Sequence, residues 1–311
     1  MPTSSSPSTR AGLAATVAPA RRLTSATRRA PLGADSLAAR PLALAPAARQ
    51  RAGRTLGSIA VGTVSLLLWL GLWQLAAIND WRFFVRFDSI PAPTEVLAAA
   101  GELARSPKFA THVASSVRRI FVGFSIAATL AVGLGVVVGR LRLAALSLLP
   151  PLEVLRPIPA VAWIPLAILL FASAEQSIVF ITFIGAFFPI FLNTIHGVES
   201  IDPRLVHASR TLGAGPFDVF WEVVLPGALP AIVTGLSIGM GTSWFSLVTA
   251  EMISGQYGVG YYTWEAYTLQ KYPDIVLGMI SIGVLGMASS LAIKWLGRRC
   301  MPWFRPEGSS A

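Results

Sequence analysis

Between Leu56 and Leu296 the sequence holds six apolar stretches, separated by segments that gather most of the charge. They run from about Leu56 to Ile78, Ile120 to Gly139, Leu143 to Phe171, Ser177 to Ile195, Gly227 to Ile253 and Ile275 to Leu296. About twenty apolar residues, rising about 1.5 Å each in a helix, match the roughly 30 Å of hydrocarbon in a bilayer. The first stretch is too long for the core of a signal peptide and is expected to stay in the membrane. A lone span must satisfy its own backbone where there is no water, so each stretch is predicted to be a helix. The expected fold class is all-α, with six transmembrane helices. Composition agrees: 54% of residues are hydrophobic and 13% charged, whereas an average soluble domain carries about 25% charged residues.

The formal net charge of +10 belongs mainly to one arm. Residues 1–54 hold nine arginines, a single acid (Asp35) and no aromatic residue. Such a segment cannot bury enough apolar area to offset its ordering entropy, and it reads as a disordered basic tail that also resembles a transit peptide. Because the charge lies in this arm, it gives no indication of nucleic-acid binding. The excess of lysine and arginine on one side of the expected spans rests on the same arm, and it places the amino terminus inside. The domain reading is then a tail over 1–54, a transmembrane domain over 55–300 and a cytoplasmic C-terminal tail over 301–311.

The third stretch is broken by Pro150, Pro151, Pro157, Pro159 and Pro165. Arg156-Pro157-Ile158-Pro159 removes backbone donors and should break the helix, and broken helices at membrane depth often line a pathway. Glu153 and Arg156 lie one helical turn apart in this stretch. Two readings stand: Arg156 assists an anion or fixes a gate, or the two charges neutralise each other. Glu251, after Trp244 and Phe245 in the fifth stretch, has a similar pair of readings. It meets a basic residue of an opposing subunit at an outer gate, or it serves packing. Arg118 and Arg119 open the second stretch and are expected to meet anions, acids on a docking protein or lipid headgroups. Gly135 with Gly139, and Gly235 with Gly239, are small pairs four apart that let helices approach closely.

Residues 254–274, rich in glycine and aromatics, read as a gate segment packed on a partner or as an interfacial belt. Gly258 and Gly260 are not a dinucleotide fingerprint, because no βαβ unit surrounds them. His112, His196 and His207 are scattered, the one cysteine is Cys300, and no metal site is expected. No phosphate loop, G-x-S-x-G elbow or H-E-x-x-H occurs, so neither cofactor nor catalytic site is expected.

The loop between the fourth and fifth stretches, 199–230, is too polar to span. Asp202-Pro203 is a helix start, with an acceptor at the N-cap and proline at the first position. Gly213 can close that helix, Pro216 can open a second, and Pro226 and Pro230 mark the return to the membrane. Two short helices on the inner face would make a rigid lever or an ordinary amphipathic hairpin.

This loop resembles one carried by permease subunits of bacterial binding-protein-dependent ABC importers: E-A-A, three residues, G, nine residues, I, one residue, L-P. His207-Ala208-Ser209, Gly213, Val223 and Leu225-Pro226 fall at those spacings. His207 departs from the pattern by standing where the family usually has glutamate. Segments 155–171, 185–198, 210–236 and 244–253 look like permeases for nitrate, taurine and aliphatic sulfonates. The resemblance implies a type I ABC importer permease fold in the inner membrane with both termini cytoplasmic. It also implies that 199–230 couples to an ATP-binding subunit, where ATP hydrolysis resides. A periplasmic or lipid-anchored solute-binding protein, a second copy of the permease and membrane lipids would be the other partners, and Glu153, Arg156, Trp244 and Glu251 the candidates for pathway or gate. An ATP-independent secondary carrier or channel is the alternative, and it would usually show internal repeats.

Overall fold

The computed structural model describes residues 45–79, 90–103 and 105–303, with side chains from residue 60 onward. The tail expected over 1–54 lies outside the described residues up to 44, as does most of the tail expected over 301–311, while residues 45–54 belong to the first helix. The chain divides into two units at Val61 and Gly62, and the helical bundle belongs to the second.

The described elements are helical. Helix α1 covers Ala45–Ile78, α2 Pro93–Leu103 and α3 Pro107–Arg140. Helix α4 covers Arg142–Leu155, a 3-10 turn Ala160–Trp163 follows, and α5 covers Ile164–Leu170. Helix α6 covers Ala174–Glu199, α7 Pro203–Thr211 and α8 Pro216–Val219. A π turn over Phe220–Val224 leads into α9, Leu225–Ser254; α10 covers Val259–Thr268 and α11 Tyr272–Cys300. Five helical segments are long and apolar enough to cross a membrane, or six if α4 and the segment ending in α5 count as one bent span.

Helix α6 is the centre of the bundle, packed along α9 and α3. Between bilayer-spanning helices, association relies on close van der Waals fit rather than on expelling water. Both glycine pairs serve that fit. A Cβ at Gly135 would lie 2.7 Å from Thr194 Cβ, and one at Gly139 2.9 Å from Val198 Cβ. On the other side of α6, a Cβ at Gly235 would lie 2.7 Å from Asn193 Cβ, and one at Gly239 2.7 Å from Ile190 Cγ1. Phe187, Ile190, Phe191 and Ile195 of α6 fill a core with Ala127, Ala131 and Val138 of α3. Helix α1 stays on the outside: Leu66, Leu67, Leu68 and Trp69 are exposed, as a lipid-facing helix requires.

The third apolar stretch breaks where the prolines demand. Its two halves meet at 86°, with Arg156 to Pro159 at the elbow. Pro157 and Pro159 lack the N–H a continuing helix would use; Arg156 keeps helical dihedrals (φ −54°, ψ −46°), and the chain has left the helix by Pro159, which is extended at φ −61°, ψ 141°. Pro189 inside α6 has a subtler effect. It leaves the Gly185 carbonyl without its helical donor. Thr242 Oγ1 of α9 donates to that carbonyl at 2.7 Å, so a backbone defect in one helix becomes a bond between two.

The expected helix start at Asp202-Pro203 is present: the Asp202 side chain accepts from Arg204 N at 2.8 Å, and Pro203 opens α7. Gly213 follows α7 with φ +91°. The second half departs from expectation. Pro226 does not separate a surface helix from a span; Pro216–Ser254 runs as one helix of 39 residues. The π turn explains this. Leu225 N bonds back five residues to Phe220 O, which widens the turn where the Pro226 ring would otherwise strike the preceding carbonyls.

Candidate functional site

Three features combine polar chemistry with position. The first is a cleft of about 540 Å³ between the elbow, α6 and α9. Arg156, Pro159, Phe188, Asn193, His196, Thr242 and Ser246 are among its lining residues. Glu153 and Arg156, expected to neutralise each other or serve a pathway, form no ion pair. Both are exposed, and both border a small niche beside Phe188 and Phe191.

The second feature is the hairpin formed by α7 and α8. Val219 and Val224 are fully buried and pack with Val198, Ala228 and Ile232, so the hairpin is anchored to the ends of α6 and α9. Gly215 N donates to Asp218 Oδ2 at 3.0 Å, which caps the second helix. Leu205, Leu212, Phe217 and Trp221 are exposed, Leu212 to 90%. Of the loop residues singled out in the sequence, His207, Ala208 and Gly213 are exposed, Ser209 and Val223 half-buried, and Leu225 and Pro226 lie in the first turn of α9.

The third feature, at the opposite end of α6 and α9, is a knot of charge. Glu251 is fully buried. Arg119 Nη1 donates to Glu251 Oε1 at 2.9 Å and to the Tyr257 carbonyl at 2.6 Å. Its Nη2 and Nε donate to Glu175 Oε2 at 2.7 and 2.9 Å. Arg118 Nη2 reaches Glu175 Oε1 at 2.6 Å. Ser116 Oγ donates to the Glu251 carboxylate and accepts from Val259 N at 2.8 Å. Gly260 N donates to Glu251 Oε2 at 3.0 Å, and Gly258 N to His112 Nδ1 at 3.1 Å. Helices α3, α6, α9 and α10 thus meet on one buried ion pair: the Glu251 carboxylate accepts from Ser116, Arg119 and Gly260, and α6 joins through Glu175 on the other edge of Arg119.

Residues 107–306 match the family model described as the inner membrane component of binding-protein-dependent transport systems. The chain belongs to this family. It is 39% identical, over 79% of its length and 95% of the other's, to a protein of Methanocaldococcus jannaschii described as an ABC transporter permease. It is 32% identical, over 77% of its length and 88% of the other's, to the nitrate import permease NrtB of Synechocystis. It is 37% identical, over 59% of its length and 66% of the other's, to the bicarbonate transport permease CmpB of Synechococcus elongatus. Among solved structures, a chain of the MetNI methionine ABC transporter matches with TM-score 0.49 at 21% identity, over 61% of this chain and 93% of that one.

This ABC permease is therefore a multi-pass inner-membrane transport subunit. Within it, Trp244 is not on the cleft: it is buried between α9 and α11, where its Nε1 donates to Ser289 Oγ at 2.8 Å. Glu251 finds its basic partner in its own chain rather than across an interface, and Arg119 faces inward to it rather than toward headgroups. Within residues 254–274, Val259–Thr268 forms α10, which packs onto α9, α11 and α3 of the same chain, while Tyr257, Trp264 and Tyr267 stay exposed. Sequence reading missed Ser116, His112 and Glu175. The Ser106-Pro107 helix start was the available signal, since it extends α3 through His112 and Ser116 to the arginines. No group of three or more potential metal ligands occurs among the described residues.

Proposed function

We propose that this permease moves a small anion through the cleft lined by Arg156, driven by an ATP-binding subunit that grips the α7–α8 hairpin. Two copies of the permease would enclose the pathway, and an external solute-binding protein would deliver the anion. The hairpin, with His207, Gly213 and Val223, would face the cytosol, and both termini with it. The names of the nitrate and bicarbonate relatives support the anion class.

The observation that carries this reading is mechanical. The hairpin's second arm, with exposed Phe217 and Trp221, is continuous with α9, which borders the cleft through Ile238, Thr242, Phe245 and Ser246. A push on Phe217 or Trp221 is transmitted along one helix to the pathway wall, without a slack linker; Leu212 stands beside that helix at the end of α7, across the turn at 213–215. Leu212 touches little of its own chain, being 90% exposed, so Leu212→Asp should leave the permease inserted and folded. It should reduce co-purification of the ATP-binding subunit and abolish uptake. Normal association and uptake in that variant would remove the coupling assignment.

A further inference from the structure

The cleft contains a charge that the fold does not use. Arg156 is fixed at the elbow by the prolines that follow it. It borders the niche formed by Phe188, Phe191 and Leu192, which places it well inside the length of α6. Phe188 stands fourteen residues from Ala174 and eleven from Glu199, so it lies roughly 21 and 16 Å from the two ends at about 1.5 Å per residue. Charges at such depth are costly unless they meet a partner or a watery cavity. Among the described residues the Arg156 guanidinium has no ion pair or hydrogen bond: the ion pairs all lie at the opposite knot. Glu153, one turn away, does not reach it. The cleft lining includes no carboxylate, and its other polar side chains are uncharged or imidazole: Asn193, His196, Thr242 and Ser246.

We infer that Arg156 is the specificity-determining charge of the pathway, holding a small oxyanion near mid-depth before it passes Asn193 and His196 toward the hairpin end. The inference rests on the transport reading above and names the residue that selects the passenger. A guanidinium presents paired donors in a planar fork that fits two oxygens of a nitrate, bicarbonate or sulfonate group. Its exposure to the cleft matters as much as its charge. A passenger must bind well enough to enter and weakly enough to leave, and a single hydrated cation without a second clamp meets both conditions. Asn193 Nδ2 gives one of its two hydrogens to the Pro189 carbonyl at 2.8 Å, which fixes the amide and leaves one neutral donor, a weaker attraction for an anion than the Arg156 charge. His196 lies one turn further along α6, on the exit side.

The test uses the complete transporter, with its ATP-binding subunit and binding protein, and measures ATP-driven uptake of nitrate, bicarbonate and taurine. For whichever of these the unaltered complex imports, Arg156→Gln should lower the maximal rate by roughly tenfold or more, the worth of one charged hydrogen bond. The half-saturating concentration, set by the binding protein, and the thermal stability should stay unchanged. Arg156→Lys should recover part of the rate. In a Cys300→Ser background, Arg156→Cys should react with water-soluble methanethiosulfonates. A positively charged adduct should restore uptake and a negatively charged one should not, a distinction that a purely structural residue would not show. Uptake by Arg156→Gln equal to that of the unaltered complex, or failure of the cysteine to react, would overturn the role of Arg156 and leave the transport reading standing. If the unaltered complex imported none of the three solutes, each of which presents an oxyanion group, the transport reading itself would fall.

Discussion

Arg119 Nη1 lies 2.9 Å from Glu251 Oε1, while the other edge of the same guanidinium holds Glu175 Oε2 at 2.7 Å. One buried cation therefore ties the first helical turns of α6 to the last turn of α9. The two acids are not equivalent. Glu251 is fully enclosed, whereas the Glu175 side chain is 38% exposed and shares Arg118. Water can compensate Glu175 if the cation is lost, but Glu251 has no such recourse.

Removing the cation should accordingly cost more than removing the acid's charge. Arg119→Met leaves a buried carboxylate without a counter-charge, a change that costs about 3–5 kcal/mol. Glu251→Gln keeps the shape and leaves Arg119 with Glu175, so it should cost roughly 1–2 kcal/mol. The double variant should be more stable than Arg119→Met alone, because the stranded charge has gone. Melting temperatures of the detergent-purified permease would check the order; simple additivity of the two single effects would contradict it.

The parts of this architecture that follow from local chemistry were readable in the sequence. The spans could be read from apolar length, the 86° elbow from Pro157 and Pro159, the start of α7 from Asp202 and Pro203, and the tight packing of α6 from glycines four apart. Two things were not readable. The continuity of α8 with α9 depends on a π turn that absorbs Pro226, and proline by itself signals only a break. Most of the knot depends on partners separated by 56 to 146 positions, such as Arg119 with Glu175 and Gly258 with His112. Ion pairs at such separation leave no periodicity, and opening the second helix at Arg118 left His112 and Ser116 outside the helix that positions them.

Thr242 and Pro189 should behave as a coupled pair although they do not bond to each other. Thr242→Val removes the hydrogen bond that the Gly185 carbonyl receives from across the interface in place of its helical donor, at a cost near 1 kcal/mol. Pro189→Ala would give that carbonyl its own helical donor. In the Pro189→Ala background Thr242→Val should therefore cost much less. A double-mutant cycle on thermal unfolding reads the difference directly. Equal costs in both backgrounds would show that the Gly185 carbonyl does not need Thr242.

The two glycines with positive φ should tolerate alanine very differently. Gly213, at φ +91°, has nothing within 4 Å of a would-be Cβ, so Gly213→Ala carries only backbone strain, about 1–2 kcal/mol. Gly258, at φ +125° and ψ 161°, lies in a region that only glycine enters readily. A Cβ there would also fall on the Glu251 carboxylate itself. That carboxylate is held by Arg119, Ser116 and Gly260 and has no free direction in which to move. Gly258→Ala should thus add loss of the knot to the strain and lower the melting temperature far more than Gly213→Ala. Limited proteolysis should then cut the 254–258 segment in the Gly258 variant but not in the Gly213 variant. Equal destabilisation by the two substitutions would mean that the knot contributes nothing to holding α10 against α3.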